Sequence, residues 1–243
     1  MLKRAITAAS LACLMSAVSP AAADPNAGAY LAARQADQAH DFATSVQYYS
    51  KALIADPSNE VLMESAMRTM IALGQIERAG AIADAMNADG YENLIAVLTA
   101  TMIDIEAENW SGVLTGLEAG RSISPLVDGL TKAWSLMGAG DLSDAFAAFD
   151  QVIATDGMVS YGLTHKAYAL ASVGDFEAAE FIFQGNPGLR FSRQSVIAYA
   201  HILSQLGKND EAGAFMDRVF GGQLDPGLTV VRVVLANGTS VAY

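Results

Sequence analysis

Cysteine is nearly absent from this chain: Cys13 is the only one. Disulfides, thiol nucleophiles and cysteine-ligated metals are therefore excluded from everything downstream of it. Histidine is scarce too. His40, His165 and His201 are far apart, and none has a second histidine or a carboxylate at metal-ligand spacing. No serine sits in a G-x-S-x-G elbow, and no glycine-rich phosphate loop follows a strand. Asp141 and Asp175, which follow turn glycines, are placed to favour a helix N-terminus rather than to act as acids. No catalytic constellation and no cofactor site is legible, so a non-enzyme is expected. Positive charge is also in deficit, with 14 Lys and Arg against 26 Asp and Glu and a formal net charge of −12. Such a surface repels nucleic acid and anionic lipid.

The one long apolar run is at the start. Lys3 and Arg4 precede an alanine-rich stretch, Ala5–Val18, and Ala21-Ala22-Ala23 offers a small-x-small cleavage site. The run is too short to cross about 30 Å of hydrocarbon as a helix. Residues 1–23 are therefore expected to be a signal peptide cleaved after Ala23, which places the mature chain in a periplasm with no membrane span. Lipidation at Cys13 is disfavoured, because Ser10-Leu11-Ala12 lacks the leucine expected three residues before a modified cysteine. Loss of Lys3 and Arg4 takes the formal charge to −14.

What the rest does contain is a repeat. Turn residues recur at His40, Gly74, Glu108, Gly140, Gly174 and Gly207, about every 34 residues. Two residues later stand Phe42, Ile76, Trp110, Leu142 and Phe176, with Asn209 as the exception. Three further on come Ser45, Ala79, Val113, Ala145, Ala179 and Ala212, and four beyond those Tyr49, Ala83, Leu117, Phe149, Phe183 and Met216. The intervening segments are built from Ala, Leu, Met and Glu and are short enough to be marginal helices alone, so packing between neighbours must stabilise them. A fixed period of this length marks an array in which each helix pair buries its apolar face on the next. Twelve helices in an all-α array are expected. No strand-like alternation occurs before residue 228 and no Pro/Ser-rich linker interrupts the array, so residues 24–220 read as one domain of six units.

The segments His40–Pro57, Gly140–Asp156 and Gly174–Pro187 resemble the tetratricopeptide repeat family, and the resemblance extends over Ala27 to Phe220. It is weakest in the third and sixth units. A small residue is usual in the middle of each first helix. Ala133, Ala167 and Ala200 supply it, whereas Arg34 and Met67 depart from it, which predicts looser or shifted packing at the first two interfaces. The resemblance implies a right-handed superhelix of antiparallel helix pairs whose concave face binds a peptide or protein.

Counted from the turns, that face carries Gln35, Gln38, Glu64 and Arg68, then Leu98, Met102, Leu130, Trp134, Tyr161 and Tyr168, then His201 and Gln205. Two readings stay open. The middle is a peptide groove with aromatic anchors, in which Trp134 tolerates truncation without loss of the fold; or Trp134 and Tyr168 simply fill a closely wound interior. Arg68 is the only cation among these positions, so the basic clamp that some family members close on a C-terminal carboxylate is not evident. The resemblance together with the expected signal peptide implies a periplasmic interaction scaffold for a protein or peptide. The alternatives are a small-ligand or glycan-binding protein using the Leu130–Trp134–Tyr168 region, and an accessory subunit of an envelope enzyme.

The tail, residues 221–243, breaks the pattern. Leu228–Leu235 is rich in valine, with Arg232 its only charge. It begins after Asp225-Pro226, where a seventh first helix is due, so a helix packed around Ile197, Leu203 and Phe215 is expected, with a strand left open. Its remaining apolar side suits contact with another copy of the chain.

Overall fold

The computed structural model describes residues 25–186, 188–189, 192–221 and 223–237. Residues 1–24, with Cys13 and the expected signal and cleavage site, and the last six residues lie outside them. Among the described residues there are thirteen helices and no strand. The chain divides into two compact units, one ending at Ile103 and one beginning at Asp104, and it passes from one to the other inside a helix rather than through a linker.

The first unit contains α1 (Pro25–Gln38), α2 (Phe42–Ala55), α3 (Glu60–Ala72), α4 (Ile76–Ala88) and most of α5 (Leu94–Glu106). Its core joins Ala33, Val46, Tyr49, Met63, Met67, Met70, Ala79 and Met86. Arg34 is not the packing position. The seven-residue offset that Ala133, Ala167 and Ala200 keep from their turns falls on Ala33, which is fully buried and whose carbonyl accepts the Ser45 hydroxyl at 3.1 Å. Met67 is also fully buried. It fills with a flexible chain the space that alanine leaves in later units. The expected looseness therefore has no basis at either position.

The second unit holds the end of α5, then α6 (Trp110–Glu118), α7 (Pro125–Ala139), α8 (Leu142–Ile153), α9 (Val159–Ser172), α10 (Phe176–Gly185), α11 (Arg193–Gln205), α12 (Asn209–Phe220) and α13 (Pro226–Ala236). Ala133, Ala145, Ala167, Ala179, Ala200 and Ala212 are all fully buried, which lets successive helices approach closely. Phe149, Phe183 and Met216 fill the space between them.

The six turns share one geometry. His40, Gly74, Glu108, Gly140, Gly174 and Gly207 all have positive φ, between 52° and 88°. In each, the next residue's N–H bonds to the carbonyl five positions back at 2.8–3.0 Å, from Asp41 to Ala36 through Lys208 to Leu203. This closes the first helix with a left-handed residue and leads directly into the second. Asp41, Asn109 and Asp175 then cap the second helices, accepting N–H bonds from Thr44, Gly112 and Ala178. The Thr44 bonds hold the Asp41 carboxyl below its usual range. Asp141 occupies the same cap position without a side-chain bond.

The tail is helical. Asp225 caps α13 by accepting from Leu228 N–H at 3.0 Å, and Pro226 occupies its first turn. Leu228 and Leu235 are buried with Leu203 and Phe215, and Ile197 packs against the same cluster. Arg193 grips Asp225 through Nε and Nη2, and Arg232 pairs with Asp217 at 3.1 Å. Burial of two leucines seven apart outweighs the β-branched content of the segment. Val230 and Val233 remain 62% and 52% exposed on its outer side.

Candidate functional site

In the second unit the first helices α7, α9 and α11 pack side by side, α7 on α9 and α9 on α11. Their shared face gathers the residues Leu130, Trp134, Tyr161, Tyr168 and His201 around three cavities. One, of about 680 Å³, is apolar and includes Trp110, Val127, Leu130 and Trp134 in its walls. A second, of about 880 Å³, is walled by Gly157, Ser160, Tyr161, Thr164, His165, Tyr168, Ser192, Gln194 and Ser195. The third, of about 440 Å³, lies between Tyr168, Ala171, Ser172, Gln194, Ala198, His201 and Ile202. Tyr168 and Gln194 belong to both of the last two.

Trp134 is more firmly set than a free groove residue. Its ring meets fully buried Phe149 edge-on, with centroids 5.6 Å apart. Its indole Nε1–H donates to His165 Nδ1 at 3.0 Å. His165 in turn lies edge-on to Tyr168 at 5.7 Å. The chain Phe149–Trp134–His165–Tyr168 thus runs from core to cavity. Trp134 is half-buried packing with one edge on a cavity, whereas Tyr161, 55% exposed, and half-buried Tyr168 line the cavity beside His165. The expectation that Trp134 can be truncated without loss of the fold does not fit these contacts.

The Trp134 bond also fixes the tautomer of His165. With Nδ1 accepting, the proton of the neutral ring sits on Nε2. Burial lowers the His165 pKa from its ordinary 6.5, because the charged ring is poorly solvated there. His201 lies edge-on to Phe176 at 6.2 Å.

Of the other face residues, Gln205 ends α11 and the rest belong to the first unit. Arg68 and Met102 are exposed, Met102 by 62%, and Leu98 is half-buried. Glu64 accepts from Asn93 Nδ2 at 2.9 Å. Gln194 and Ser195, not singled out from the sequence, also line the cavity walls, as does His165, one of the three histidines without metal-ligand spacing. The signal was there: Tyr161, His165 and Tyr168 are four and three apart along α9, and Gln194, Ala198 and His201 repeat that spacing along α11. Among the described residues no cluster of three or more His, Cys, Asp or Glu could hold a metal ion, and no helix is long and apolar enough to cross a membrane.

The arrangement matches solved structures. A tetratricopeptide repeat protein from Parabacteroides merdae superposes with a TM-score of 0.66 over 87% of this chain and 84% of its own, at 13% identity. A thermophilic tetratricopeptide repeat protein from Thermus thermophilus aligns with 88% of this chain and 98% of its own at 14% identity, with a TM-score of 0.35. Naa15, solved with Naa10 and HypK, aligns with 88% of this chain and 39% of its own at 16% identity and 0.43. Only the first score is high enough to carry weight, and it establishes the fold: a helical-repeat solenoid of the tetratricopeptide type. No protein-family model matches the chain, and no curated protein matches it significantly.

Proposed function

We propose that this chain is a non-catalytic interaction scaffold that binds a polypeptide segment on the α7–α9–α11 face of its second unit. The observation that carries the reading is the pair of adjoining cavities divided by Tyr168, with exposed Tyr161 at the rim of one. Aromatic side chains at the centre of a concave, partly apolar surface are the residue types that dominate binding hot spots. The basic start, Ala5–Val18 and Ala21-Ala22-Ala23 support export with cleavage after Ala23, which makes the partner an envelope or secreted protein.

Peptide binding by wild-type protein and Tyr168→Ala tests the site. The variant is expected to lose about 1–3 kcal/mol of binding free energy. Peptide ligands that bind both proteins equally would place the interaction elsewhere. N-terminal sequencing of protein from the periplasmic fraction tests export, and an intact Met1 would refute it. A small-ligand site is the second reading, favoured by cavities of about 440 and 880 Å³, within the range of small-molecule sites. A thermal-shift screen against metabolites and oligosaccharides separates the two.

A further inference from the structure

The apolar cavity beside Trp134 runs along α7. Val127 and Gly138 line its two ends with Leu130 and Trp134 between them, so it is about 16 Å long at 1.5 Å per residue. Ile105 of α5 and Val173, just after α9, complete the wall. Ile105, Val127 and Val173 are all exposed, which makes this a contiguous apolar groove open to solvent.

One end of the groove is acidic. Through Ile105, Leu142 and Val173 its wall reaches the turns that follow α5, α7 and α9. Residues 106–110, 138–144 and 172–177 make those turns. They contain Glu106, Glu108, Asp141, Asp144, Asp175 and Glu177, all exposed, and no Lys or Arg. Asp175 is engaged as a helix cap, but Asp141 makes no cap bond. Glu106, Glu108 and Asp141 belong to none of the ion pairs among the described residues. Near the other end, Asp128 is taken up by the Ser122 hydroxyl and the Ile123 and Ser124 amides.

We propose that this groove docks a basic amphipathic helix of a partner polypeptide. The apolar side of that helix lies along α7, and its Lys or Arg side chains meet the turn carboxylates at one end. A length of about 16 Å accommodates three helical turns of 5.4 Å. A helix satisfies its backbone N–H and C=O groups internally, so its apolar stripe lies on these walls without stranding a polar group. An extended segment would instead bring alternating N–H and C=O groups against valine, leucine and tryptophan, which is costly. Charge sets the sign and direction of the partner. Opposite charges across a docking surface speed encounter and fix register, and the free carboxylates cluster at the turn end. The inference goes beyond the reading above, because this groove shares only Ser172 with the smaller Tyr168 cavity and does not depend on Tyr168.

The test uses a displayed library of helical peptides about 14 residues long, with Leu, Ile, Met or Phe at i, i+3, i+7 and i+10. Lys, Gln and Glu occupy the other positions in equal proportion. Wild-type protein, Ile105→Ser with Val173→Ser, Glu106→Gln with Glu108→Gln and Asp141→Asn, and Tyr168→Ala are each panned. Wild type is expected to enrich Lys over Glu about tenfold, concentrated toward one end of the peptide. Neutralising the three carboxylates should weaken the selected peptides about tenfold at low salt, and raising salt to about 0.5 M should do the same to wild type. The Ile105 and Val173 exchanges should weaken them to a similar degree; the charge variant, wholly on the surface, carries the test if that one fails to fold. Peptides indifferent to Lys or Glu, or unaffected by both sets of substitutions, would overturn the inference. Loss in Tyr168→Ala alone would also overturn it, assigning the peptides to the Tyr168 cavities and leaving the reading above in place. Recovery of no helical peptide would overturn it too; a thermal shift on adding dodecanoate would then give the groove to an aliphatic chain.

Discussion

Trp134→Ala separates packing from binding. The side chain is half-buried, so its truncation costs about half of the 3–5 kcal/mol lost when a fully buried aromatic becomes alanine, or about 2 kcal/mol. Loss of the edge-on contact with Phe149 and of the indole bond to His165 adds about 1 kcal/mol beyond the buried area. The expected total is about 3 kcal/mol. Trp134→Phe keeps a ring against Phe149 but removes the Nε1–H donor, and should cost about 1 kcal/mol. Urea unfolding followed by far-ultraviolet circular dichroism measures both, with Tyr168→Ala as the comparison. A series in which Ala costs most and Phe about a third as much supports the contact chain from core to cavity. If Trp134→Ala falls within about 0.5 kcal/mol of wild type, the range of ordinary surface substitutions, the residue is no part of the core and the reasoning fails.

The turns make a paired prediction: Glu108→Gly relieves a left-handed residue and should stabilise by about 0.5–1 kcal/mol, whereas Gly174→Ala, at φ 88° with open space around it, should destabilise by a similar amount. Denaturation midpoints that move in the same direction for both would contradict this. Since burial lowers the pKa of His165, the unfolded chain takes up its proton first as pH falls, so stability is complete above pH 6.5 and is lost progressively below it until the folded-state value is passed. His165→Asn, which keeps an acceptor for Trp134, should remove that component from a stability–pH profile measured between about pH 8 and 5. Gly162→Ala should cost about 1–3 kcal/mol by thermal unfolding, because a Cβ there meets the backbone of Ile153 at 2.8 Å.

The array was legible from the sequence because its turns demand a left-handed residue at one position, and four of the six are glycine. His40 and Glu108 break that rule, and the neighbouring apolar spacing still identified them. The faces of α7, α9 and α11 followed from helical periodicity. Which rings meet which did not, since the Trp134–His165 bond depends on how α7 and α9 are rotated against one another. That rotation is set by the alanines between the helices and by packing on Phe149, at separations no local pattern encodes. The passage between the two compact units was hidden as well, because it falls within α5 and carries no linker composition. The tail was ambiguous for a different reason: its valines favour a strand, and only the partners of Leu228 and Leu235 decide for a helix.

The third unit, one of the two weakest matches to the repeat pattern, is held by a different device. Arg121 lies across α6 over Gly116, donates to the Gly112 carbonyl and pairs with Asp104 at 3.0 Å, while Asn109 donates to the same carboxylate at 2.8 Å. A Cβ at Gly116 would occupy the space of the guanidinium, and one at Gly112 would strike Asn109. These five residues therefore form an interlocking set: with Gly116 filled, Arg121 has no seat, and with Gly112 filled, Asn109 and the Asp104 carboxylate lose theirs. Substitutions among them should be strongly non-additive, the single changes each costing nearly as much as the combination. Among relatives of this chain such a set is expected to be kept or exchanged as a block, so that joint variation at positions 104, 109, 112, 116 and 121 would trace the third unit where conservation of any one residue would not.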